Sequence, residues 1–185
     1  MKIQWLSERM NYDGRQLRPH WIFQTTNILG DALVAFQGGC HVVTDQMVDL
    51  VDQKDGKKIY SEEMLHFIGE FFGADLSRTI LVQRLLVSLA QQEIIFRAKT
   101  TQLIRAGNDL FEGDAKLSVS IATASPVSTL IHFGINVSSK NTPVKTKGLL
   151  DYGLDPAVFA QSLLETFKHE VESVSIAQSK VRPVS

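Results

Sequence analysis

The chain has 185 residues, with 19 Lys plus Arg against 20 Asp plus Glu, and its formal net charge is −1. This length fits one domain with a core of its own. The balanced charge excludes the basic surface of a general nucleic-acid binder, so we expect no duplex DNA partner. Cys40 is the only cysteine. It excludes an intrachain disulfide and a zinc site of the CxxC type, and fits a reducing cytoplasm.

The apolar segments are too short or too polar for membrane functions. The first residues, "MKIQWLSERM", lack the apolar core of a signal peptide, and the longest apolar run, "TILVQRLLVSLA", is interrupted by Gln83 and Arg84. We therefore expect a soluble, cytoplasmic protein with no membrane partner. Residues 1–185 are expected to form a single domain, in which the polar end from about residue 175 is typical of a flexible tail.

The first part of the chain predicts two strands around a helix, then a third strand. "KIQWLSE" alternates as a short strand, Pro19 can open a helix that ends at Gly30, and "DALVAFQGG" predicts a buried strand. The alternation in "MVDLVD" predicts a further strand with Asp49 on the face opposite its apolar neighbours. Because Asp49 and Asp52 are three residues apart, such a strand would place them on opposite faces, so both are interpreted as surface charges, with a pocket role for Asp49 as the alternative.

Two consecutive segments have helical spacing. "SEEMLHFIGEFFG" has a possible cap at Ser61 and a stop at Gly73, and "DLSRTILVQRLLVSLAQQEI" repeats the pattern. His66 lies within the apolar face of the first helix and is interpreted as a core histidine. Arg84 interrupts the apolar stripe of the second helix. A structural ion pair with a carboxylate and a contact with an anionic ligand explain its guanidinium equally well.

The second half of the chain is rich in strands and ends in a helix. "KTTQLIR", "NDLFEGDAKLSVSIAT" and "STLIHFGINV" predict an antiparallel meander, with a tight turn at Gly113-Asp114. "DPAVFAQSLLETFKHEVESV" predicts a helix capped by Asp155, with Pro156 at its first position. Strands and helices segregated in this way indicate an α+β fold, with helices packed on an antiparallel sheet.

One lysine stands among small residues in the middle of these strands. Alternation counted from Lys116 assigns the apolar residues Leu117, Val119 and Ile121 to the core, and assigns the opposite face of the two strands to Lys116, Ser118, Ser120, His132 and Asn136. A sheet face built of such small side chains leaves room for a ligand, and Lys116 at its edge is positioned to reach an anion. The alternative is that Lys116 is a solvated charge and that the small residues pack against a helix.

These residues resemble the central block of the lipoate and biotin protein ligases. Asn108-Asp109, Lys116-Leu117-Ser118, the strand from Leu130 to Asn136 and the helix from Asp155 occur in the order found in those enzymes, over about half of the chain. The chain as a whole is similar to a small uncharacterised prokaryotic family in the superfold of those ligases and of class II aminoacyl-tRNA synthetase catalytic domains. The resemblance implies a class II synthetase and biotin synthetase-like fold.

The resemblance also implies roles for particular residues. In the ligases the lysine contacts the α-phosphate and the activated carboxylate, and the Asn-Asp pair helps to hold phosphate and magnesium. Carried over, this makes Lys116 the catalytic residue, makes Asn108 and Asp109 ligand contacts with Asp109 as a metal ligand, and implies ATP and Mg²⁺ as cofactors. Further ligand contacts are predicted on the same face and on the neighbouring helix, at Ser118, Ser120, His132, Asn136 and Arg84.

The chain departs from the ligase pattern at one motif. Lipoate ligases carry Arg-Arg-x-x-Gly-Gly-Gly upstream, whereas "FQGGCHVVTD" here has two glycines and no arginine pair. Two hypotheses therefore remain. In the first, the protein binds a nucleotide or an acyl-adenylate-like anion on the sheet face at Lys116, and if it is an enzyme it activates a carboxylate with ATP and passes the acyl group to an acceptor. In the second, it is a non-catalytic protein that binds a small molecule or assembles as a homodimer.

Overall fold

A five-stranded sheet divides the protein into two layers. The computed structural model describes residues 1–100, 102–142 and 144–184. Its strands are β1 (Lys2–Trp5), β2 (Ala32–Val42), β3 (Ile59–Phe71), β4 (Leu103–Ala106), β5 (Asp109–Glu112), β6 (Ala115–Lys116), β7 (Ser118–Ala124) and β8 (Thr129–Asn136). The large sheet has the order β1-β2-β3-β8-β7, and β4, β5 and β6 form a separate three-stranded sheet. All pairings are antiparallel except that of β1 with β2.

Four α-helices accompany the sheets within the described residues. They are α1 (Trp21–Thr26), α2 (Leu50–Lys54), α3 (Leu76–Ala98) and α4 (Pro156–Ser179). The carboxylates of Asp75 and Asp155 cap α3 and α4 by accepting hydrogen bonds from the backbone N–H groups of Arg78 and Val158. The predicted α+β fold, with helices packed on a mainly antiparallel sheet, is confirmed.

The two long helices cover one face of the large sheet. Side chains of β3 and β8, such as Phe67 and Phe133, form a continuous core with Leu86 and Ile94 of α3 and Phe167 of α4. By length and composition α3 would suffice to cross a membrane. In the fold, Leu86, Val87 and Ile94 of α3 contribute to this core, whereas Leu76, Leu81 and Phe96 of the same helix are exposed.

The opposite face of the sheet has a smaller core and carries no long helix. Here Val34 and Phe36 of β2 and Ile68 of β3 pack against Trp21 and Ile22 of α1. The segment between β2 and β3, which contains the 3-10 turn Thr44–Gln46 and α2, lies beyond this core. The face is therefore only partly covered, and the remaining part is open to a ligand.

The predicted helix over "SEEMLHFIGEFFG" is wrong, because this segment is β3, the middle strand of the sheet. β3 is paired on both sides and buried on both faces, with Leu65 and Phe67 on the helical side and Met64 and Ile68 on the other. A strand with two apolar faces loses the alternation that distinguishes a strand from a helix. The prediction of a single helix over the following segment holds, because α3 spans it.

Three further segments differ from the predicted secondary structure. "MVDLVD" is not a strand: Asp49 caps the short helix α2, accepting hydrogen bonds from the backbone N–H groups of Val51 and Asp52. The helix expected from Pro19 to Gly30 is shorter, since residues with left-handed backbone conformation, His20 and Asn27, flank α1. The tail expected from residue 175 is helical as far as Ser179, where α4 ends.

A close backbone contact fixes the N-terminal segment to β2. A side chain at Gly38 would bring its Cβ atom to 2.0 Å from the carbonyl oxygen of Met10, so only glycine fits there. The neighbouring hydrogen bonds join the backbone N–H of Tyr12 to the Gly39 carbonyl at 2.9 Å, and the N–H of His41 to the Tyr12 carbonyl at 2.9 Å. The "QGG" sequence thus allows the segment to lie against the sheet and sets the position of Tyr12.

We predict that Gly38→Ala destabilises the fold by about 3 kcal/mol or more, because the new methyl group meets backbone, which cannot move aside. Gly134→Ala is the matched control, with an expected cost of about 1 kcal/mol. There the Cβ atom would meet the flexible side chain of Met64, at 2.9 Å from its sulfur. Urea denaturation of both variants measures the difference. Equal losses of unfolding free energy in the two variants would contradict the close backbone contact at Gly38.

Candidate functional site

A cleft of about 460 Å³ lies on the face of the sheet that the long helices leave uncovered. Its floor includes Val119 and Ile121 of β7, and His132 and Asn136 of β8. Residues of the segment between β2 and β3, among them Met47, line the opposite side. This volume suits a small organic molecule.

An ion pair stands at one end of the cleft. The ammonium of Lys116 lies 2.7 Å from Oδ2 of Asp109, with exposed side-chain fractions of 34% for Lys116 and 20% for Asp109. The Lys116 ammonium also lies 5.8 Å from the centre of the Phe111 ring, within reach of a cation–π interaction. The lysine is therefore held in place by the protein but keeps about a third of its surface open to a ligand.

The environment of Asp109 bears on the predicted metal site. Burial raises the pKa of this carboxyl group above its usual range, while the Lys116 ammonium acts in the opposite direction. Oδ1 is buried and has no hydrogen-bond partner among the described residues. Since Oδ2 holds Lys116 and Oδ1 is shut off from solvent, neither oxygen is free for Mg²⁺. The described residues also contain no cluster of three His, Cys, Asp or Glu suited to a metal ion. The arrangement does not fit the magnesium ligand predicted at Asp109.

A second ion pair lines the cleft. Lys57 is 2.6 Å from Asp52, and both residues line the cleft together with Lys58. Asp49, predicted as an outward-facing surface charge, also lines it while capping α2. The lining thus contains three lysines and three aspartates, Asp109 and Lys116 included. The formal charges of the lining residues are therefore balanced.

Two buried histidines form the inner part of the floor. Nδ1 of His66 lies 3.1 Å from Nε2 of His132. The ring of Tyr12 is stacked on His132, with centroids 3.8 Å apart, and Phe36 is stacked on His66, with centroids 5.0 Å apart. Burial lowers the pKa of His66 to about 3 and holds the pKa of His132 well below its usual range, so both imidazoles are neutral near pH 7.

The prediction that the Ser118 and Ser120 hydroxyls face a ligand in the cleft is wrong. Ser120 lies directly opposite Phe133, on the side of the sheet covered by α3, and its hydroxyl accepts a hydrogen bond from Nε2 of Gln83 at 2.7 Å. The Ser118 hydroxyl accepts one from the N–H of Leu110 at 2.9 Å. Both residues border the cleft, but their hydroxyls are used within the protein.

The error arises at Leu117, where the strand is interrupted. Residue 117 lies between β6 and β7, and its N–H bonds to the Leu110 carbonyl rather than to the large sheet. This break resets the alternation of faces, so that Val119 and Ile121, predicted as core, lie on the cleft side with His132. Leu117 itself is fully buried in the core beneath the helices, as expected.

The remaining predicted contacts are divided between the cleft and its surroundings. Asn136 lies in the floor, but its side-chain N–H groups are directed at the carbonyls of Lys116 and Lys147, each 3.3 Å away, which ties adjacent segments together. Asn108 lines the cleft, while its side-chain oxygen accepts a hydrogen bond from Nε of Arg84 at 3.0 Å. Arg84 is exposed on α3 and does not line the cleft, so its predicted contact with a ligand there is wrong.

Tyr12 and the contact of His66 with His132 were not predicted. Tyr12 reaches the site through the backbone pairing of its segment with Gly38 and Gly39, which no local pattern reveals. The two glycines were the available signal, since adjacent glycines in a strand mark a close approach of backbone. Cys40 is buried, and burial raises the pKa of its thiol to about 12, which agrees with the inert role expected for it.

Residues 1–182 match the family model described as "Domain of unknown function (DUF366)". The chain belongs to the DUF366 family. Uncharacterized protein MJ0805 of Methanocaldococcus jannaschii is 36% identical over 191 residues, covering 100% of this chain and 86% of that protein. A solved structure, a protein of unknown function from Pyrococcus horikoshi, is 34% identical and has a TM-score of 0.90, with 100% of this chain and 99% of that one covered.

The fold of this DUF366 chain is that of biotin and lipoate protein ligases. Biotin protein ligase from Aquifex aeolicus, solved in complex with biotin and ATP, has a TM-score of 0.62 and 15% identity, and the alignment covers 92% of this chain and 70% of the ligase. The expected membership of this superfold is confirmed. At this identity the likeness describes the fold alone, so any function has to be argued from the cleft.

We predict that Lys116→Met lowers the free energy of unfolding by about 1–2 kcal/mol at pH 8, because it leaves the Asp109 carboxylate buried without its cation. Solvent screening at the partly exposed lysine keeps the loss below that of a fully buried pair. A carboxyl group whose pKa is raised by folding destabilises the protein as pH rises through that pKa. The loss should therefore shrink as pH falls towards 5 and Asp109 becomes protonated.

Denaturation of Lys116→Met at pH 8 and pH 5 measures this effect. Lys145→Met is the matched control, because Lys145 pairs with Asp114 where both side chains are exposed. It should show no comparable dependence on pH. Adding Asp109→Asn to Lys116→Met should restore most of the stability lost at pH 8, and a loss of equal size at both pH values would contradict the electrostatic explanation.

The histidine pair predicts a second dependence on pH. Unfolded histidines titrate near pH 6.5, whereas the pKa values of His66 and His132 are lowered in the fold, so both take up protons on unfolding as the pH falls below about 6. Stability should therefore fall with acidification from pH 7 towards pH 5, and these two groups contribute a slope of at most about 2.7 kcal/mol per pH unit. His132→Gln should remove about half of that contribution, whereas His41→Gln, at an exposed position, should leave the slope unchanged. An unaltered slope in His132→Gln would refute the neutral pair.

Proposed function

We propose that the cleft binds a small organic acid, with the carboxylate at Lys116 and an apolar body along the floor. The observation that carries this proposal is the ammonium of Lys116, held 2.7 Å from Asp109 at the edge of an otherwise largely apolar cleft. An ammonium already oriented by a protein carboxylate loses little conformational freedom when it takes up a second anionic partner.

The apolar lining supports a ligand with a hydrocarbon body. Val119, Ile121, Met64 and Val42 belong to strands of the large sheet, and Met47 lines the cleft from the segment between β2 and β3. Burial of a methylene group between such surfaces contributes about 0.8 kcal/mol, so a chain of several carbons binds without further polar contacts. Met47 and Met64 have flexible side chains, which allow the cleft to adapt to the shape of the ligand.

The charge balance of the cleft favours a single negative charge. Lys116 and Lys57 are each paired with an aspartate, and Lys58 is the one lining lysine without an ion pair among the described residues. Asp49 lines the cleft and also has no ion pair among the described residues, so the lining carries no excess positive charge, and one carboxylate disturbs this balance less than a polyanion does. A triphosphate would bring several negative charges to a cleft whose described lining contains no arginine.

Activation of the bound acid with ATP is a second candidate function. It is favoured by the shared fold, because the Aquifex aeolicus ligase was solved with both biotin and ATP. In this reaction a carboxylate oxygen would attack the α-phosphorus of ATP, forming an acyl-adenylate and releasing pyrophosphate. Lys116 would face the negative charge that grows during the attack, and its loss would lower the rate on the order of 100-fold.

Calorimetric titration with octanoate tests the binding proposal. We expect wild-type protein to bind octanoate and Lys116→Met to bind it at least about tenfold more weakly, because a charge-assisted hydrogen bond is lost. Lys145→Met removes a lysine from an ion pair outside the cleft and should leave the affinity unchanged. Equal affinities for octanoate in wild type and Lys116→Met would overturn the assignment of the lysine.

Exchange of labelled pyrophosphate into ATP tests the second candidate. If the protein activates an acid, exchange should require the acid and should fall about 100-fold in Lys116→Met. Measurements with a set of carboxylic acids of different chain lengths, each first shown to bind, make the result decisive. Binding without exchange would reject activation and leave a non-catalytic binding protein.

A further inference from the structure

Tyr12 lies at the inner part of the cleft, and the anchoring of a carboxylate does not require it. Its ring is stacked on that of His132, with centroids 3.8 Å apart and an interplanar angle of 10°, and on that of His66, with centroids 5.1 Å apart. Its backbone is held by the Gly39 carbonyl and the His41 N–H, each at 2.9 Å. Backbone pairing and stacking together fix the position of the tyrosine ring.

The Tyr12 hydroxyl has no hydrogen-bond partner among the described residues, although only 3% of the residue is exposed. Most buried tyrosines do find such a partner. In the described part of the chain, the buried side-chain atoms that lack a partner are Nε2 of His66, Oε1 of Gln83 and Oδ1 of Asp109. The Tyr12 hydroxyl is not one of these atoms, so it keeps contact with solvent. Because Tyr12 lines the cleft, this contact is made in the cleft.

The hydroxyl is a hydrogen-bond donor under ordinary conditions. Burial raises the pKa of the Tyr12 phenol well above its usual range, and the nearby Cys40 and Asp13 act in the same direction, so the phenol keeps its proton at neutral pH. A phenol accepts less readily than it donates, because a lone pair of its oxygen is delocalised into the ring. The histidines contact the faces of the tyrosine ring, which leaves the O–H at its edge available.

The strand residues around the stacked rings are apolar. His132 lies between Ile121 of β7 and Ile68 of β3 in the sheet, and Ile121 lines the cleft. An alkyl chain that lies here displaces water from the Tyr12 hydroxyl and offers no partner in its place. Such an unpaired polar group lowers the affinity, whereas a ligand atom that accepts its hydrogen bond restores it.

We propose that Tyr12 is a specificity-determining residue, whose hydroxyl donates a hydrogen bond to a carbonyl oxygen in the body of the bound acid. This inference rests on the proposed binding of an acid in the same cleft. A ketone or amide carbonyl supplies the oxygen without adding a second charge to the balanced lining. The favoured ligands are therefore medium-length organic acids with a carbonyl group inside the chain, in preference to plain fatty acids of the same length.

Two phenylalanine variants test the unpaired hydroxyl without a ligand. Tyr12→Phe keeps the ring that is stacked on His132 and removes only the oxygen, so its urea midpoint should equal that of the wild type. Tyr152→Phe is the matched control, because the Tyr152 hydroxyl donates to Oε2 of Glu112 at 2.6 Å, outside the cleft. Its loss should lower the midpoint. A decrease of the same size in Tyr12→Phe would show that its hydroxyl is used within the protein and would overturn the proposal.

Calorimetric titration with octanoate and its oxo derivatives tests recognition. A ketone oxygen only accepts hydrogen bonds, and ketones at positions 4 to 7 of the chain place it at successive distances from the carboxylate. The oxooctanoate that binds wild type best should bind Tyr12→Phe about fivefold more weakly, because its hydrogen bond is lost. Octanoate should bind Tyr12→Phe about twofold to threefold more tightly, because no hydroxyl is left unpaired. Tyr152→Phe should bind all of these acids as the wild type does.

The outcomes separate this inference from the proposed function. Opposite changes for octanoate and an oxooctanoate in Tyr12→Phe would support the role of Tyr12. Changes by the same factor for all of these acids would overturn that role and leave the binding of acids intact. If wild type binds octanoate but no oxooctanoate, the carbonyl class is wrong. If wild type binds no acid, the proposed function fails and this inference fails with it. If Tyr12→Phe does not fold, the hydroxyl is needed inside the protein, and the proposal is overturned.

Discussion

The burial of β3 on both of its faces is the constraint on which the rest of the structure depends. β3 lies between β2 and β8, and its alternating side chains enter two different cores. The helical core is completed by α3 and by α4 as far as Val171, whereas the second core is completed only by short segments. A sheet with one face thickly covered and the other partly covered leaves an apolar cleft on the second face, with a volume that suits a small molecule.

Within this cleft, electrostatics rather than shape distinguishes one end from the other. Lys116 and Asp109 form an ion pair in which the carboxylate is the more buried partner, so the pair orients the ammonium towards the open side. In the inner part of the floor, burial keeps His66 and His132 neutral, and Phe36 and Tyr12 are stacked on their rings. A ligand in this cleft therefore meets a cation at Lys116 and uncharged rings in the inner floor.

The elements with strong local signals could be predicted from the sequence. The helix α4 was located by Asp155 and Pro156, and the antiparallel strands of the second half were recognised from their composition. The order of Asn108, Asp109 and Lys116 indicated the superfold, and the structure does bring these residues to one cleft. Each of these features depends on residues that are close together along the chain.

The features that were predicted wrongly, or not predicted at all, depend on contacts between residues far apart along the chain. β3 was mistaken for a helix because burial from both sides replaces alternation with an almost continuous apolar run. The two serines were assigned to the wrong face because the break at Leu117 is caused by pairing with β5, which residue spacing does not record. Tyr12 was missed because its place in the cleft depends on backbone hydrogen bonds with Gly39 and His41, 27 and 29 residues away along the chain.

The most direct test of the account is to map octanoate onto the protein by NMR. Amide chemical shifts should change for Lys116, Val119, Ile121 and His132 on titration with octanoate, and those of residues on the outer faces of α3 and α4 should stay unchanged. Saturation of the shifts at a single dissociation constant would support one carboxylate site in the cleft. Shifts confined to the helical layer, or none at concentrations up to the solubility limit of octanoate, would contradict the account.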